Sequence, residues 1–224
     1  MRVLAIETAT EACSIALFDS AGEGGADLLA HEHRTIGRGH AEHLIPMIAD
    51  LPDKGRAERI LVSLGPGSFT GVRIGIAAAR ALGVAWQAEV VGYPTLALVA
   101  AMARSEHQDA VTVCMNGGHG EWFVQDFDAT GNPEGEMASL TPEAALKRDS
   151  HHIVAGSKAK ELATIGNINY FTPLDILPDA RGTPLLPATL LQSTISPIYG
   201  RAPDAKPQAP KPSKHLNSKE TFPR

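Results

Sequence analysis

Apolar and polar positions alternate between two periods along this chain. Residues 2–6 and 13–18 are short apolar runs separated by the polar stretch ETATEA, which predicts two antiparallel strands joined by a hairpin or loop. A third strand is expected near residues 27–34, after the glycine-rich turn Gly22-Glu23-Gly24-Gly25. The period then changes. Ala41, Leu44, Ile45 and Ile48 follow i, i+3, i+4, i+7 spacing, and Leu44, Met47 and Leu51 form a second stripe, so residues 40–51 predict a helix with two apolar faces. Pro46 lies within it and predicts a later start or a kink.

A buried strand at residues 60–64 runs directly into GPGSFTG, residues 65–71, where Ser68 or Thr70 can cap a helix reaching about Trp86. The only charges on that helix are Arg73 and Arg80, one heptad apart. A helix apolar around most of its girth has to be covered on more than one face. Its small residues, Gly75, Ala77, Ala78, Ala79 and Ala81, also permit close backbone approach. A strand at 89–91 and a helix at 96–104, opened by Pro94-Thr95, come next. The strand, turn, strand pattern then recurs at 111–116, 117–120 and 121–127. Thr141-Pro142-Glu143 has the form of a helix start for residues 144–148, with a strand at 152–155 and a helix at 158–165. Residues 167–197 show no clear period and are expected to be mostly irregular, with one short helix near 188–192.

Composition narrows the class. A chain of 224 residues with 43% hydrophobic residues can bury a core of ordinary size, as one unit or two small lobes. No run approaches the roughly 18 uncharged apolar residues of a bilayer span, which argues against a membrane protein. The opening MRVLAIET lacks the pattern of a secretory signal, so a cytoplasmic location is expected. Cys13 and Cys114, both in apolar runs, cannot build a disulfide framework or a four-thiolate metal site and are expected as reduced core residues. The net charge of −5 is unevenly divided. Residues 201–224 carry six basic side chains and two acidic ones, a net of +4, which leaves −9 on the rest. That segment also holds five of the sixteen prolines, has no apolar periodicity and is expected to be disordered. An acidic body disfavours broad nucleic-acid binding, although a basic tail can touch phosphates with salt-sensitive affinity; otherwise it is a solubilising segment.

The strongest local signal is GPGSFTG between a strand and a helix, where amides and the helix dipole can hold an anion. Gly65, Gly67, Ser68 and Thr70 are the candidate residues. The loop lacks the lysine and Ser/Thr of a P-loop, and its glycines do not fit dinucleotide spacing, so a structural turn that docks the helix is the competing reading. His40 and His43 are three apart with Glu42 between, and His31 and His33 share a strand face, but spacing fixes no third ligand and no metal is expected. Glu7 and Glu11 flank the first turn, as a magnesium-holding carboxylate of a phosphotransferase would, but Thr8-Ala9-Thr10 offers no glycine for phosphates. Ser68 and Thr70 have no histidine partner placed by proximity, so no catalytic residue is assigned.

The segments MRVLAIETATEACSIALFD, HAEHLIPMI and LVSLGPGSFTGVRIGIAAARALG resemble the TsaB family, also called YeaZ, over about the first hundred residues. Beyond them the likeness is carried by GEWFVQDF, IVAGS and PIYGR. The resemblance implies an α/β, actin-like, ribonuclease H-like fold of two related lobes, divided as residues 1–104 and 105–200 with a basic tail at 201–224. It also implies a non-catalytic subunit for threonylcarbamoyladenosine formation at position 37 of tRNA. Its partners would be a catalytic TsaD-like paralogue, a TsaE-like ATPase and, through the complex, tRNA; alone it would form a homodimer. No cofactor is expected, with nucleotide possible only at a joint interface. The metal-binding HxxxH pair of the catalytic paralogue has no counterpart, because His40 and His43 have the wrong spacing. Asn116 stands where relatives commonly show an acid at the second hairpin, and PIYGR departs from a PxYLR-like ending. The surplus apolar surface of the two helices points to Leu44, Met47, Val72, Arg73, Ile76, Ala79 and Arg80 as partner contacts, with the arginines at the rim or meeting carboxylates. The alternative is a small-molecule kinase or other nucleotide-dependent enzyme of the same fold, using Glu7 and the loop at 65–71.

Overall fold

The structure is a computed structural model describing residues 1–20 and 25–201. The glycine-rich turn before the third strand falls largely, and the basic tail after Arg201 entirely, outside the described residues. The first three strands, β1 (Arg2–Glu7), β2 (Ala12–Asp19) and β3 (Asp27–Thr35), form an antiparallel meander. α1 (His40–Asp50) and a 3-10 turn at Pro52–Gly55 lead to β4 (Arg59–Ser63), α2 (Phe69–Trp86), β5 (Glu89–Tyr93) and α3 (Thr95–His107). β4 pairs parallel with both β1 and β5, giving the sheet order β3-β2-β1-β4-β5.

A second five-stranded sheet repeats the theme. β6 (Val111–Gly118) and β7 (Glu121–Phe127) form a hairpin, followed by β8 (Ala138–Leu140), α4 (Pro142–Ala145), β9 (Ile153–Ala155), α5 (Ala159–Ile165) and β10 (Thr172–Leu174). Its order is β10-β9-β6-β7-β8, with β6, β9 and β10 parallel. Two mixed sheets flanked by helices make an α/β, actin-like fold of two related lobes.

Strand alternation distributes the apolar side chains among three cores. Val3, Ala5, Ala16, Phe18 and Leu61 face one way and meet α3 together with Val113, Met115 and Phe127 of the second sheet. α3 therefore lies within a core shared by both sheets, and eight of its thirteen residues are buried. On the opposite face of the first sheet, Leu4, Ile6, Cys13, Ile15, Ile60 and Val62 meet α1 and α2. Cys114, Trp122, Val124 and Val154 form the third core with α4 and α5. Both cysteines are buried and unpaired, and burial pushes their thiols up, to about 11 for Cys13 and about 12 for Cys114.

Several sequence expectations shift. α1 runs unbroken from His40 through Pro46, because the proline at its seventh position lies on the exposed side. The stretch from 167 to 197 is more ordered than its lack of period implies. It contains β10 and 3-10 turns at Ala180–Leu185 and Ala188–Leu190, and side-chain bonds pin part of it to the first sheet. Ser14 Oγ donates to Asp179 at 3.3 Å and accepts from the Ala180 amide at 3.0 Å, while His33 Nδ1 lies 3.4 Å from the same carboxylate. Burial raises the Asp179 carboxyl, but bonds from the Arg181 guanidinium and amide outweigh it and hold the group below the usual range.

Candidate functional site

The loop at residues 65–71 is closed by the turn between β1 and β2. Ser68 N donates to Ala9 O at 2.6 Å, Thr8 Oγ1 donates to Gly71 O at 2.9 Å, and Ser68 Oγ caps α2 by accepting from Gly71 N at 3.2 Å. The Ser68 and Gly71 amides, which an anion would need, thus have protein acceptors. Glycine is required here by proximity. A Cβ at Gly67 would sit 2.0 Å from Ala9 O, and one at Gly71 would sit 2.1 Å from Thr8 O. Gly65 O accepts the Thr95 amide at 2.8 Å, tying the loop to the start of α3, and Thr70 is exposed. These contacts are those of a turn that docks a helix.

Glu7, at the end of β1, lies beneath this closure and is fully buried. Its Oε1 accepts from Ala9 N at 2.7 Å and Ser63 Oγ at 2.9 Å, whereas Oε2 has no hydrogen-bond partner among the described residues. Burial outweighs those bonds and raises the carboxyl from 4.5 to about 7. Burial and the neighbouring Glu7 push the Tyr93 hydroxyl well above its usual range; it donates to Ile6 O at 3.0 Å. A carboxyl so enclosed lacks the open approach that a phosphate-bound cation needs. At the second hairpin, the exposed Asn116 accepts from Gly118 N at 3.0 Å and shapes the turn. His40 is buried with Nε2 3.2 Å from Ala12 O, in a packing role. Among the described residues no group of three His, Cys, Asp or Glu side chains is placed to hold a metal ion.

The seven expected partner contacts divide sharply. Leu44, Met47, Val72, Ile76 and Ala79 are each at most 4% exposed and lie in the core between α1, α2 and the first sheet. They anchor the helices, each large side chain contributing roughly 1.5–3 kcal/mol, and do not face outward. Arg73 and Arg80 are exposed, but they hold the chain's own later segment. Arg73 donates to Tyr199 Oη from Nε at 3.2 Å and Nη2 at 2.8 Å, and Arg80 donates to Ile195 O. The Arg73 guanidinium also lies 3.6 Å over the Phe69 ring, which stacks on Tyr199 at 5.6 Å. Paired bonds between Gly92 and Gln192, and Ile198 N donating to Leu64 O at 2.7 Å, complete this strap beside α2.

The outward surface of the helices is formed by other residues. On α1 it is Ala41, Ile45 and Ala49, four apart, with Ile45 49% exposed. On α2 it is Ala77, Ala81 and Val84, with Val84 83% exposed. Because both helices cover the same sheet face and touch each other, these stripes point away from the sheet side by side. The twofold apolar pattern of α1 foreshadows this, since Ala41 and Ile45 belong to the periodic set.

The fold and the closed loop define a class, and comparison with known proteins agrees. Residues 33–177 match the family model described as TsaD: tRNA N6-adenosine threonylcarbamoyltransferase. A tRNA threonylcarbamoyladenosine biosynthesis protein TsaB from Escherichia coli (strain K12) is 34% identical over 174 residues, 74% of this chain and 71% of the relative. Its Haemophilus influenzae namesake is 34% identical over 113 residues, 48% and 45% of the two chains. The structure of YeaZ from Pseudomonas aeruginosa matches with TM-score 0.68 and 28% identity, covering 88% of this chain and 99% of that one. The chain belongs to the TsaB (YeaZ) family.

Proposed function

We propose that the protein acts in tRNA threonylcarbamoyladenosine biosynthesis as a non-catalytic subunit that docks a TsaD-like paralogue on the outer surface of α1 and α2. The observation that carries this reading is the paired apolar stripe on two adjacent helices, centred on Ile45 and Val84. Surfaces of this kind on a folded body mark sites of association. A partner with the same fold offers an equivalent helix pair, which also accounts for a homodimer in its absence. The names of the curated relatives place them in that biosynthesis. The kinase alternative finds no support in a buried Glu7 and a loop whose Ser68 amide is bonded to Ala9 O of the adjacent turn and whose Gly71 amide is bonded to Ser68 Oγ. A TsaE-like ATPase and tRNA belong to the same proposed assembly.

The test is co-purification with a TsaD-like paralogue, with light scattering of the complex and of the chain alone. The double variant Ile45→Glu, Val84→Glu is expected to remain folded by circular dichroism and to weaken the complex at least about tenfold, as two desolvated charges in an apolar contact require. Ile76→Glu is expected instead to lose the fold, since Ile76 is 4% exposed. An undiminished complex with the double variant refutes the surface, and threonylcarbamoyl transfer by the chain alone refutes the non-catalytic role.

A further inference from the structure

Ionic side chains are sorted by helix on the docking face. α1 carries Glu42 and Asp50 and no lysine or arginine, whereas α2 carries Arg73 and Arg80 and no acid. All four are exposed. Glu42 stands three residues before Ile45, Asp50 follows Ala49, Arg73 is one turn before Ala77 and Arg80 one turn before Val84, so the charges border the apolar stripes. On each helix the two like charges lie two turns apart, about 12 Å along the axis of α1 and about 10.5 Å along that of α2.

None of the four is neutralised among the described residues. Arg73 rests on the Tyr199 hydroxyl and the Phe69 ring, and Arg80 on the Ile195 carbonyl, all uncharged groups. Glu42 and Asp50 have no ion pair among the described residues. Asp50 also closes α1 at the end where the helix dipole disfavours an anion. Charges just beyond the same helices are paired instead, Arg2 with Asp53 at 3.1 Å and Arg59 with Glu89 at 3.1 Å. The fold of this chain therefore draws little from the ionic groups of α1 and α2, and they stay available to whatever covers the stripes between them.

We propose that Glu42, Asp50, Arg73 and Arg80 select and orient the docked partner: the TsaD-like paralogue sets a helix with acidic groups about two turns apart against α2, and a helix with basic groups against α1. This deepens the docking reading given above and rests on it. Stripes of alanine, isoleucine and valine accept a helix pair in either direction. Opposite charges on neighbouring helices favour one direction and make the reverse a meeting of like charges, so they supply orientation and on-rate where the apolar stripes supply adhesion.

The experiment uses the full-length chain and the TsaD-like paralogue, with association and dissociation rates measured by surface plasmon resonance from about 50 to 500 mM salt. Arg73→Gln with Arg80→Gln is expected to slow association at least about tenfold at the low end, with the gap closing as salt screens the charges. Glu42→Gln with Asp50→Asn, at exposed positions without bonds to the rest of the described chain, is expected to act in the same sense and decides the matter if the arginine variant fails to fold by circular dichroism. Tyr199→Phe loosens the strap but leaves all four charges, and is expected to keep the parent's association rate and salt dependence; a loss equal to that of the arginine variant would overturn the proposal. Reversing all four charges (Glu42→Lys, Asp50→Lys, Arg73→Glu, Arg80→Glu) separates the paralogue from a second copy. Two reversed chains remain matched to each other, so self-association is expected to persist while the paralogue is lost. Equal association rates and equal salt dependence for the parent and both neutralised variants overturn the proposal, even where Ile45→Glu, Val84→Glu abolishes the complex. An undiminished complex with that apolar variant removes the docking reading itself.

Discussion

Removing the buried carboxyl of Glu7 by Glu7→Gln should make the protein more stable above neutral pH. In the folded protein this carboxyl is raised from 4.5 to about 7, with burial as the largest cause, and no cation is among the groups that act on it. Between those two values the folded protein keeps a proton that the unfolded chain has released. Stability is therefore complete below about pH 4.5, falls as pH rises and levels off above about pH 7. At about 1.4 kcal/mol per pH unit, the span amounts to about 3 kcal/mol, a substantial part of the 5–15 kcal/mol typical of a domain. Glutamine has the same shape, keeps an oxygen for Ala9 N and Ser63 Oγ, and carries no charge at any pH. Urea unfolding of both proteins from pH 4.5 to 8.5 measures the difference, and subtraction removes the titration of every other group. The variant is expected to gain about 3 kcal/mol relative to the parent across this range. A difference that stays flat with pH would refute the argument, because it would mean that Glu7 ionises in the fold as readily as in the open chain.

Two further outcomes test the elements around it. Gly71→Ala drives a Cβ to 2.1 Å from Thr8 O, where only backbone can move; a loss of about 2 kcal/mol or more is expected by thermal unfolding, with faster amide exchange in the first turn of α2. Tyr199→Phe removes the acceptor of two exposed Arg73 bonds, so a loss below about 1 kcal/mol is expected, together with faster exchange of the Ile198 amide.

What could be read from the sequence follows the range over which its signals act. Strand alternation and helical spacing are local, and they identify β1, β2, β4, β6, β7 and the helices from α1 to α3 to within a few residues. The Ser68 cap is equally local, and the structure shows it. β8, β10 and the turn at Ala180–Leu185 are three to six residues long and owe their form to pairing or to Ser14 and Asp179, which are 165 residues apart. No window of sequence contains that information. Which stripe of α1 and α2 faces outward is hidden for a related reason. Period alone says that α1 and α2 have more apolar positions than one sheet requires, but it does not say which stripe meets the sheet. Leu44, Met47 and Ile76 are among the positions that period alone offers to a partner. They are instead the ones the sheet takes, because burying a large side chain against strands already present returns more free energy than burying alanine. What remains outward is the smaller-residue stripe of Ala41, Ile45 and Ala49 on α1 and of Ala77, Ala81 and Val84 on α2. In a two-faced helix the largest residues go to the chain's own core, and the stripe of smaller residues is what stays outward for the proposed partner.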